Sequence, residues 1–269
     1  MPAAKIVGRR YNPGMRLLLT NDDGILAPGL EALYRAVADL GHVDVVAPDD
    51  SQSGVGHAIS VQKPLLVRRL HVNNVFHGWS VAGRPADCVK LAMIDLLDQR
   101  PDLVLSGINA GVNTGINVLY SGTIAGAVEA ALFGVPAIAF SLELMDELDF
   151  RMAGRVARSI LDVIIAAQPI PGTCLSVNIP ALDQGWPRGV RCCPQAPVNW
   201  KEHLQKQTES AGQTIYWLEG RPPEDDGDPQ YDFAAVRAGY VAITPLRADL
   251  TDEARLREVA AWKWPAKFT

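Results

Sequence analysis

The sequence predicts an α/β fold of the Rossmann-like kind, with three layers in the order αβα around a mostly parallel sheet. Short apolar runs alternate with amphipathic segments from residue 15 to residue 167. That alternation is typical of βαβ units joined by right-handed crossovers. Polar, glycine-containing loops follow several of the apolar runs, as ligand-binding loops follow the strands of open parallel sheets.

The first elements follow from this alternation. Leu17–Thr20 is predicted to be a buried strand, and Leu30–Leu40 a helix, because its apolar residues recur at helical spacing. Gly41 ends that helix. A second strand is predicted at Val43–Ala47, and a polar loop at 49–62 follows it.

The next segments predict a hairpin and a second βα unit. The hairpin has arms at Leu65–Arg69 and Val75–Val81, which flank Asn73 and Asn74. Pro85 opens a helix, since proline is well tolerated in the first helical turn. The remaining predicted elements of the first half are a strand at 102–105, a loop at 106–123, an Ala-rich helix at 123–133 and a strand at 137–141.

The second half is less regular. A helix is predicted at 150–167 and a strand at Leu175–Ile179, while residues 183–231 are rich in Pro, Gly and acidic side chains. Shorter strand-like pieces are at 190–193, 214–218 and 240–244. We therefore expect an extension at residues 1–14 and a single domain at 15–269, with its core at about 15–180 and irregular arms at about 181–269. Such arms are often used in oligomer contacts.

Composition excludes several classes of protein. A net charge of −5 over 269 residues does not favour nucleic-acid binding. No apolar run is long enough for a membrane span, and residues 1–14 lack the apolar core of a secretory signal. The four cysteines form no Cys-x-x-Cys pair, which fits a reducing compartment. We expect a cytoplasmic protein without nucleic-acid or membrane partners.

An acidic pair follows the first strand. Asn21, Asp22, Asp23 and Gly24 come directly after the apolar run, at the edge where open α/β sheets bind ligands. Two adjacent carboxylates repel each other unless a cation neutralises them, and Mg²⁺ or Mn²⁺ prefers such oxygen ligands. The alternative is that these residues only form a turn or cap the next helix.

Other loops at the same predicted edge carry further candidates. Asn109 could add a neutral metal ligand, or it could be a turn asparagine. Ser53 alone would usually be hydrogen-bonded only locally. His57 could act as an acid or as a phosphate contact, or have no role.

Ser121, Gly122 and Thr123 stand at the start of the Ala-rich helix. Free N–H groups and the helix dipole favour an anion at that place. A phosphate cradle and a simple N-cap are both consistent with these residues. The Walker A lysine, the dinucleotide-binding glycine pattern and the Gly-x-Ser-x-Gly elbow are absent from the sequence.

Taken together, these motifs resemble one family, SurE (survival protein E), whose members are metal-dependent nucleotidases. The resemblance rests on segments that occur in family order, namely 20–24, 47–49 with Ser53 and His57, Gly83 with 85–89, 106–109, 121–123 and 239–246. It extends from Met15 to about Asp252.

The resemblance implies an activity and a set of site residues. Asp22, Asp23, Ser53 and Asn109 would hold one Mg²⁺ or Mn²⁺ ion, and Asp22 and Asp23 would be the catalytic residues. The phosphate pocket would consist of Asn21, Asn113, Ser121, Gly122 and Thr123. The implied reaction is hydrolysis of nucleoside 5′- and 3′-monophosphates, with polyphosphate as another substrate of some members. Homodimers or homotetramers built through swapped C-terminal arms are also implied.

Two segments depart from the family pattern. Residues 191–195 replace a strand that commonly carries a Thr-Arg pair, and the loop at 220–229 is unusually acidic.

Two alternatives to the nucleotidase stay open at this point. One is a non-catalytic nucleotide-binding or sensor protein, and the other is a phosphatase for polyphosphate or other phosphomonoesters.

Overall fold

A computed structural model describes residues 14–182, 185–197, 201–208, 214–221, 228 and 230–265. The strands are β1 (Met15–Thr20), β2 (Gly41–Pro48), β3 (Val67–Val72), β4 (Phe76–Val81), β5 (Leu103–Ala110), β6 (Ala137–Leu142), β7 (Cys174–Ile179), β8 (Val190–Cys192), β9 (Lys201–Thr208), β10 (Thr214–Arg221) and β11 (Val241–Leu246). The helices are α1 (Pro28–Val37), α2 (Pro85–Leu91), α3 (Asn117–Tyr120), α4 (Gly122–Leu132), α5 (Phe150–Ala167), α6 (Asp232–Arg237) and α7 (Glu253–Ala260).

Nine of these strands form one twisted sheet in the order β3-β4-β2-β1-β5-β6-β7-β11-β8. The six strands from β4 to β7 run parallel, β3 and β11 are antiparallel to their neighbours β4 and β7, and β8 is parallel to β11. Strands β9 and β10 pair only with each other and form a separate antiparallel hairpin. The predicted fold class, a mostly parallel α/β sheet with a projecting hairpin, is confirmed.

The sheet is covered on both faces because its strands are apolar on both. Leu17 and Leu19 of β1 belong to the core beneath α1 and α5, whereas Leu18 belongs to the core beneath α2 and α4. This follows from the two-residue period of a strand. All three leucines have no exposed surface, so the segment leading to Asp22 is fixed by both layers.

Close helix packing also positions the edge where the strands end. A Cβ atom at Gly29, in the first turn of α1, would lie 1.9 Å from the carbonyl oxygen of Ile108 in β5. Only glycine permits this approach. The start of α1 therefore rests on the end of β5, next to Asn109.

Several boundaries differ from the prediction. Helix α1 begins at Pro28 and ends at Val37, earlier than the predicted 30–40, and α2 continues as a π-helical turn at Ala92–Leu96. Strand β9 and helices α6 and α7 lie in the half predicted to be irregular. Residues 1–13 of the predicted extension, and most of the acidic loop at 220–229, lie outside the described residues.

None of the described helices combines the length and the apolar character needed to cross a membrane.

Candidate functional site

Three loops meet at the carboxyl edge of the parallel strands, as predicted. The backbone N–H of Gln52, after β2, donates to the carbonyl oxygen of Asp22, after β1, at 2.7 Å. The N–H of Ala110, at the end of β5, donates to Asp23 Oδ2 at 3.3 Å. The acidic pair therefore lies between the other two loops.

Asp22 is almost completely buried, with 5% of its surface exposed. The hydroxyl of Thr123 donates a short hydrogen bond to Asp22 Oδ1. Burial, together with the neighbouring charge of Asp23, raises the pKa of Asp22 to about 6 although the Thr123 bond opposes this. Within the described residues, no cationic side chain contributes to this pKa.

Gly122 allows the start of α4 to approach Asp22. A Cβ atom at Gly122 would lie 2.7 Å from Asp22 Cβ and 3.0 Å from Asp22 Oδ2. The free N–H groups in the first turn of α4 thus lie beside the acidic pair. An anion held there would be adjacent to a cation held by the carboxylates.

Asp23 follows β1, and Asn109 lies at the end of β5, next to the residue whose N–H donates to Asp23. Burial raises the pKa of Asp23, against the hydrogen bond from Ala110. Asn109 Nδ2 donates to the carbonyl oxygen of Gly111 at 2.7 Å, which leaves Oδ1 as the atom of this side chain suited to a cation.

The backbone next to Ser53 is bonded at this edge, whereas the Ser53 side chain is not. Its neighbour Gln52 bonds to Asp22, but the Ser53 hydroxyl lies 3.1 Å from the hydroxyl of Ser51 and is exposed. The structure therefore places Ser53 beside the acidic pair without a direct contact to it.

Ser121 caps α4, because its Oγ accepts from the N–H of Ile124 at 3.1 Å. The Thr123 hydroxyl, expected to face phosphate, is instead bonded to Asp22. Because the Ile124 N–H is taken, the anion-binding groups that remain in this turn are the backbone N–H groups of Gly122 and Thr123, of which that of Thr123 also interacts with the Asp22 carboxylate.

Asn21 and Asn113 are both buried. Asn21 Nδ2 donates to the carbonyl oxygen of Gly24 at 2.9 Å, while its Oδ1 has no partner among the described residues. Asn113 Nδ2 donates to Ser141 Oγ at 2.8 Å, and the Asn113 N–H donates to Asn178 Oδ1 at 2.7 Å.

Sequence reasoning missed Ser141 and Asn178, which hold Asn113. The signal available was one polar residue, Ser141, within the otherwise apolar strand β6, and two, Ser176 and Asn178, within β7. Buried polar groups of this kind are nearly always hydrogen-bonded.

The donor set at this edge suits a hard divalent cation. It offers two carboxylates, an amide oxygen and a hydroxyl, which are the oxygen ligands that Mg²⁺ and Mn²⁺ prefer. Among the residues that the structure describes, no three His, Cys, Asp or Glu side chains form a metal-binding group. A cation here would therefore depend on the acidic pair plus neutral ligands. The charge of Asp22, which no cationic side chain among the described residues compensates, fits such an ion.

Comparison with known proteins gives consistent matches. The family model described as "Survival protein SurE" matches residues 17–202. The 5'-nucleotidase SurE of Heliobacterium modesticaldum is 42% identical over 249 residues, covering 92% of each chain. The 5'-nucleotidase SurE of Desulforudis audaxviator is 43% identical, covering 94% of this chain and 99% of its own. The crystal structure of the Sure protein from Aquifex aeolicus superposes with a TM-score of 0.79 at 38% identity, covering 91% of this chain and 98% of its own.

Proposed function

Because this chain belongs to the SurE family, we propose that it is a metal-dependent phosphomonoesterase acting on nucleoside 5′- and 3′-monophosphates. That it is an enzyme of the 5′-nucleotidase class follows from relatives of that name that match over most of its length. The metal requirement and the 3′ activity go further. The 3′ activity is an expectation from the family resemblance, and the observation that supports the metal requirement is the acidic pair, with Asp22 buried, beside the N-terminal turn of α4.

The proposed ligand set is the one that the family resemblance implies. Asp22, Asp23, Ser53 and Asn109 would hold one Mg²⁺ or Mn²⁺ ion. When bound, such an ion polarises phosphoryl oxygens and makes water a better nucleophile at neutral pH.

The protein's own groups would orient the phosphoryl group. N–H groups in the first turn of α4 stabilise its equatorial oxygens, which carry the charge during transfer. Thr123 fixes the carboxylate of Asp22 through its hydroxyl. Water attacks the phosphorus, the bond between the phosphorus and the nucleoside oxygen breaks, and a proton from the water ends on that leaving oxygen.

Phosphate release tests this proposal. We expect the wild-type protein to release phosphate from nucleoside 5′- and 3′-monophosphates with Mn²⁺ or Mg²⁺, and to lose at least about 100-fold of that rate in EDTA. A panel including short polyphosphate and other phosphomonoesters ranks the substrates. Folded protein that binds nucleotide but releases no phosphate with either ion would instead indicate a binding or sensor protein.

We also propose a homodimer or homotetramer assembled through residues of the arms at 181–269. The β9–β10 hairpin and the C-terminal segment expose large apolar side chains, including Trp217 at 58%, Trp262 at 55% and Trp264 at 60%. No residue of α7 is buried. Exposed aromatic surface of this extent is typical of interaction sites.

Light scattering tests the assembly. We expect a mass of two or four chains at micromolar concentration, and a smaller mass when Trp217 and Leu218 are both changed to serine. A monomer for the wild-type protein would contradict the proposal.

The cytoplasmic location also stays a prediction, with which the four free cysteines are compatible.

A further inference from the structure

A buried carboxylate near the site binds a lysine and a histidine from different parts of the chain. Glu129 lies in α4, and its side chain is only 4% exposed. Its Oε1 accepts from Lys90 Nζ of α2 at 2.6 Å, and its Oε2 lies 2.8 Å from His57 Nε2. None of these three residues belongs to the proposed ligand set.

The partners of Glu129 determine the charge of its carboxyl group. Burial alone raises the pKa of Glu129, yet the hydrogen bonds and charges of His57 and Lys90 lower it overall. The carboxylate is therefore ionised at neutral pH. A buried charge of this kind is costly to leave unpaired, so Glu129 holds both partners in place.

His57 connects the cluster of Glu129, Lys90 and His57 to the sheet edge that carries Asp22. It ends a short segment that carries Ser53, and this segment is attached to the protein at three points. The N–H of Gln52 donates to the Asp22 carbonyl at 2.7 Å, the N–H of Gly56 donates to the Tyr120 carbonyl at 2.9 Å, and His57 binds Glu129.

The attachment at Gly56 is close and specific. Its φ of +57° is a left-handed conformation, and a Cβ atom there would lie 2.9 Å from the carbonyl oxygen of Leu119. The Ser53 side chain, in contrast, is exposed and bonds only locally to Ser51. Its position relative to Asp22 therefore depends on the anchors on either side.

We propose that His57, Glu129 and Lys90 act together as positioning residues, which hold the segment carrying Ser53 against Asp22 and so set the affinity of the site for its divalent cation. This inference rests on the proposed function for its ligand set. It assigns His57 no contact with substrate. Outer residues that orient metal ligands typically change metal affinity by about 10–100-fold when they are removed.

His57→Ala is the appropriate variant, because His57 is 35% exposed and its loss leaves the Glu129–Lys90 pair intact. We expect calorimetric titration with Mn²⁺ alone to show affinity weakened by about 10–100-fold. At saturating Mn²⁺, kcat should stay within about threefold of wild type. His57→Gln, whose amide can donate to Glu129, should recover part of the affinity.

His71→Ala is the matched control, since His71 is an exposed histidine on the β3–β4 hairpin. It should leave Mn²⁺ binding unchanged. Glu129→Gln provides a second variant should His57→Ala fold poorly, and it should weaken Mn²⁺ binding in the same direction. Thermal unfolding of each metal-free variant separates this effect from general instability.

Two results would overturn the proposal. One is Mn²⁺ affinity in His57→Ala equal to that of His71→Ala. The other is a loss of kcat above about 100-fold at saturating Mn²⁺ with unchanged affinity, which would place His57 in the chemistry. A wild-type protein that binds Mn²⁺ but hydrolyses no nucleotide would refute the proposed function and leave this measurement intact. A wild-type protein with metal-dependent hydrolysis, whose His57→Ala variant binds Mn²⁺ as tightly as His71→Ala does, would refute the positioning role alone.

Discussion

Asp22→Asn is expected to abolish nucleotide hydrolysis, with a loss of roughly 1,000-fold or more in kcat, while the metal-free protein becomes more stable at neutral pH. The activity is lost because the amide removes a charge from the acidic pair and alters the group to which Thr123 donates. The side chain keeps its size, so the packing around it is retained.

The gain in stability follows from the direction of the pKa shift. Burial raises the pKa of Asp22 from 3.8 to about 6, so the folded protein resists ionisation of this group. The associated stability is fully present below pH 3.8 and is lost as the pH rises through about 6. At pH 7.5 the metal-free wild type therefore carries a penalty of up to about 3 kcal/mol that asparagine avoids.

Urea denaturation in EDTA at pH 4 and pH 7.5 measures this difference. The advantage of Asp22→Asn should be present at pH 7.5 and shrink at pH 4. Asp98→Asn, the same change at an exposed carboxylate, should alter neither stability nor hydrolysis. Near-normal turnover in Asp22→Asn would refute the assignment of this residue.

Gly122→Ala should be the second most damaging change. The added Cβ would lie 2.7 Å from Asp22 Cβ and 3.2 Å from Pro85 Cγ, so either the first turn of α4 or the acidic pair must move. A displacement of about 1 Å between catalytic groups costs about 100-fold in rate. Steady-state kinetics with a nucleoside monophosphate, and circular dichroism to verify folding, test the prediction.

Leu132→Ala serves as the control for Gly122→Ala. Leu132 is 61% exposed at the opposite end of the same helix, so its truncation should leave kcat and KM unchanged. Wild-type kinetics in Gly122→Ala would show that the close approach at Asp22 has no catalytic importance.

The sequence predicted those elements whose conformation depends on residues that are neighbours along the chain. The hairpin turn at Asn73 and Asn74 is an example, because both residues adopt the positive φ that such a turn requires and asparagine tolerates. The runs at 17–19, 103–105 and 137–140, which became parts of β1, β5 and β6, are apolar, as expected for strands covered on both faces.

Helix α6 was missed because its position depends on distant bonds. Asp232 accepts hydrogen bonds from the N–H groups of Gly115 and Ala196, which lie 117 and 36 residues away in sequence. Six residues show too little periodicity to predict a helix without those contacts. Helix α7 had a readable signal in its N-cap Asp252, which accepts from the N–H groups of Ala254 and Arg255.

The site residues divide in the same way, into those predictable from nearby sequence and those that depend on distant contacts. The acidic pair and Asn109 could be placed at one edge because parallel strands end on the same side. The partners of His57 and Asn113 could not, since the bonds to Glu129 and Asn178 span 72 and 65 residues. Only the folded chain brings those groups together.

Helix α4 carries Thr123, which binds Asp22, and Glu129, which binds His57 and Lys90. Each residue inserted into an α-helix turns the following residues by about 100° and moves them about 1.5 Å along the axis. An insertion or deletion between these two positions would therefore rotate one anchor away from its partners while the other stayed bound. This stretch is consequently a spacer whose length is fixed by the two anchors at its ends.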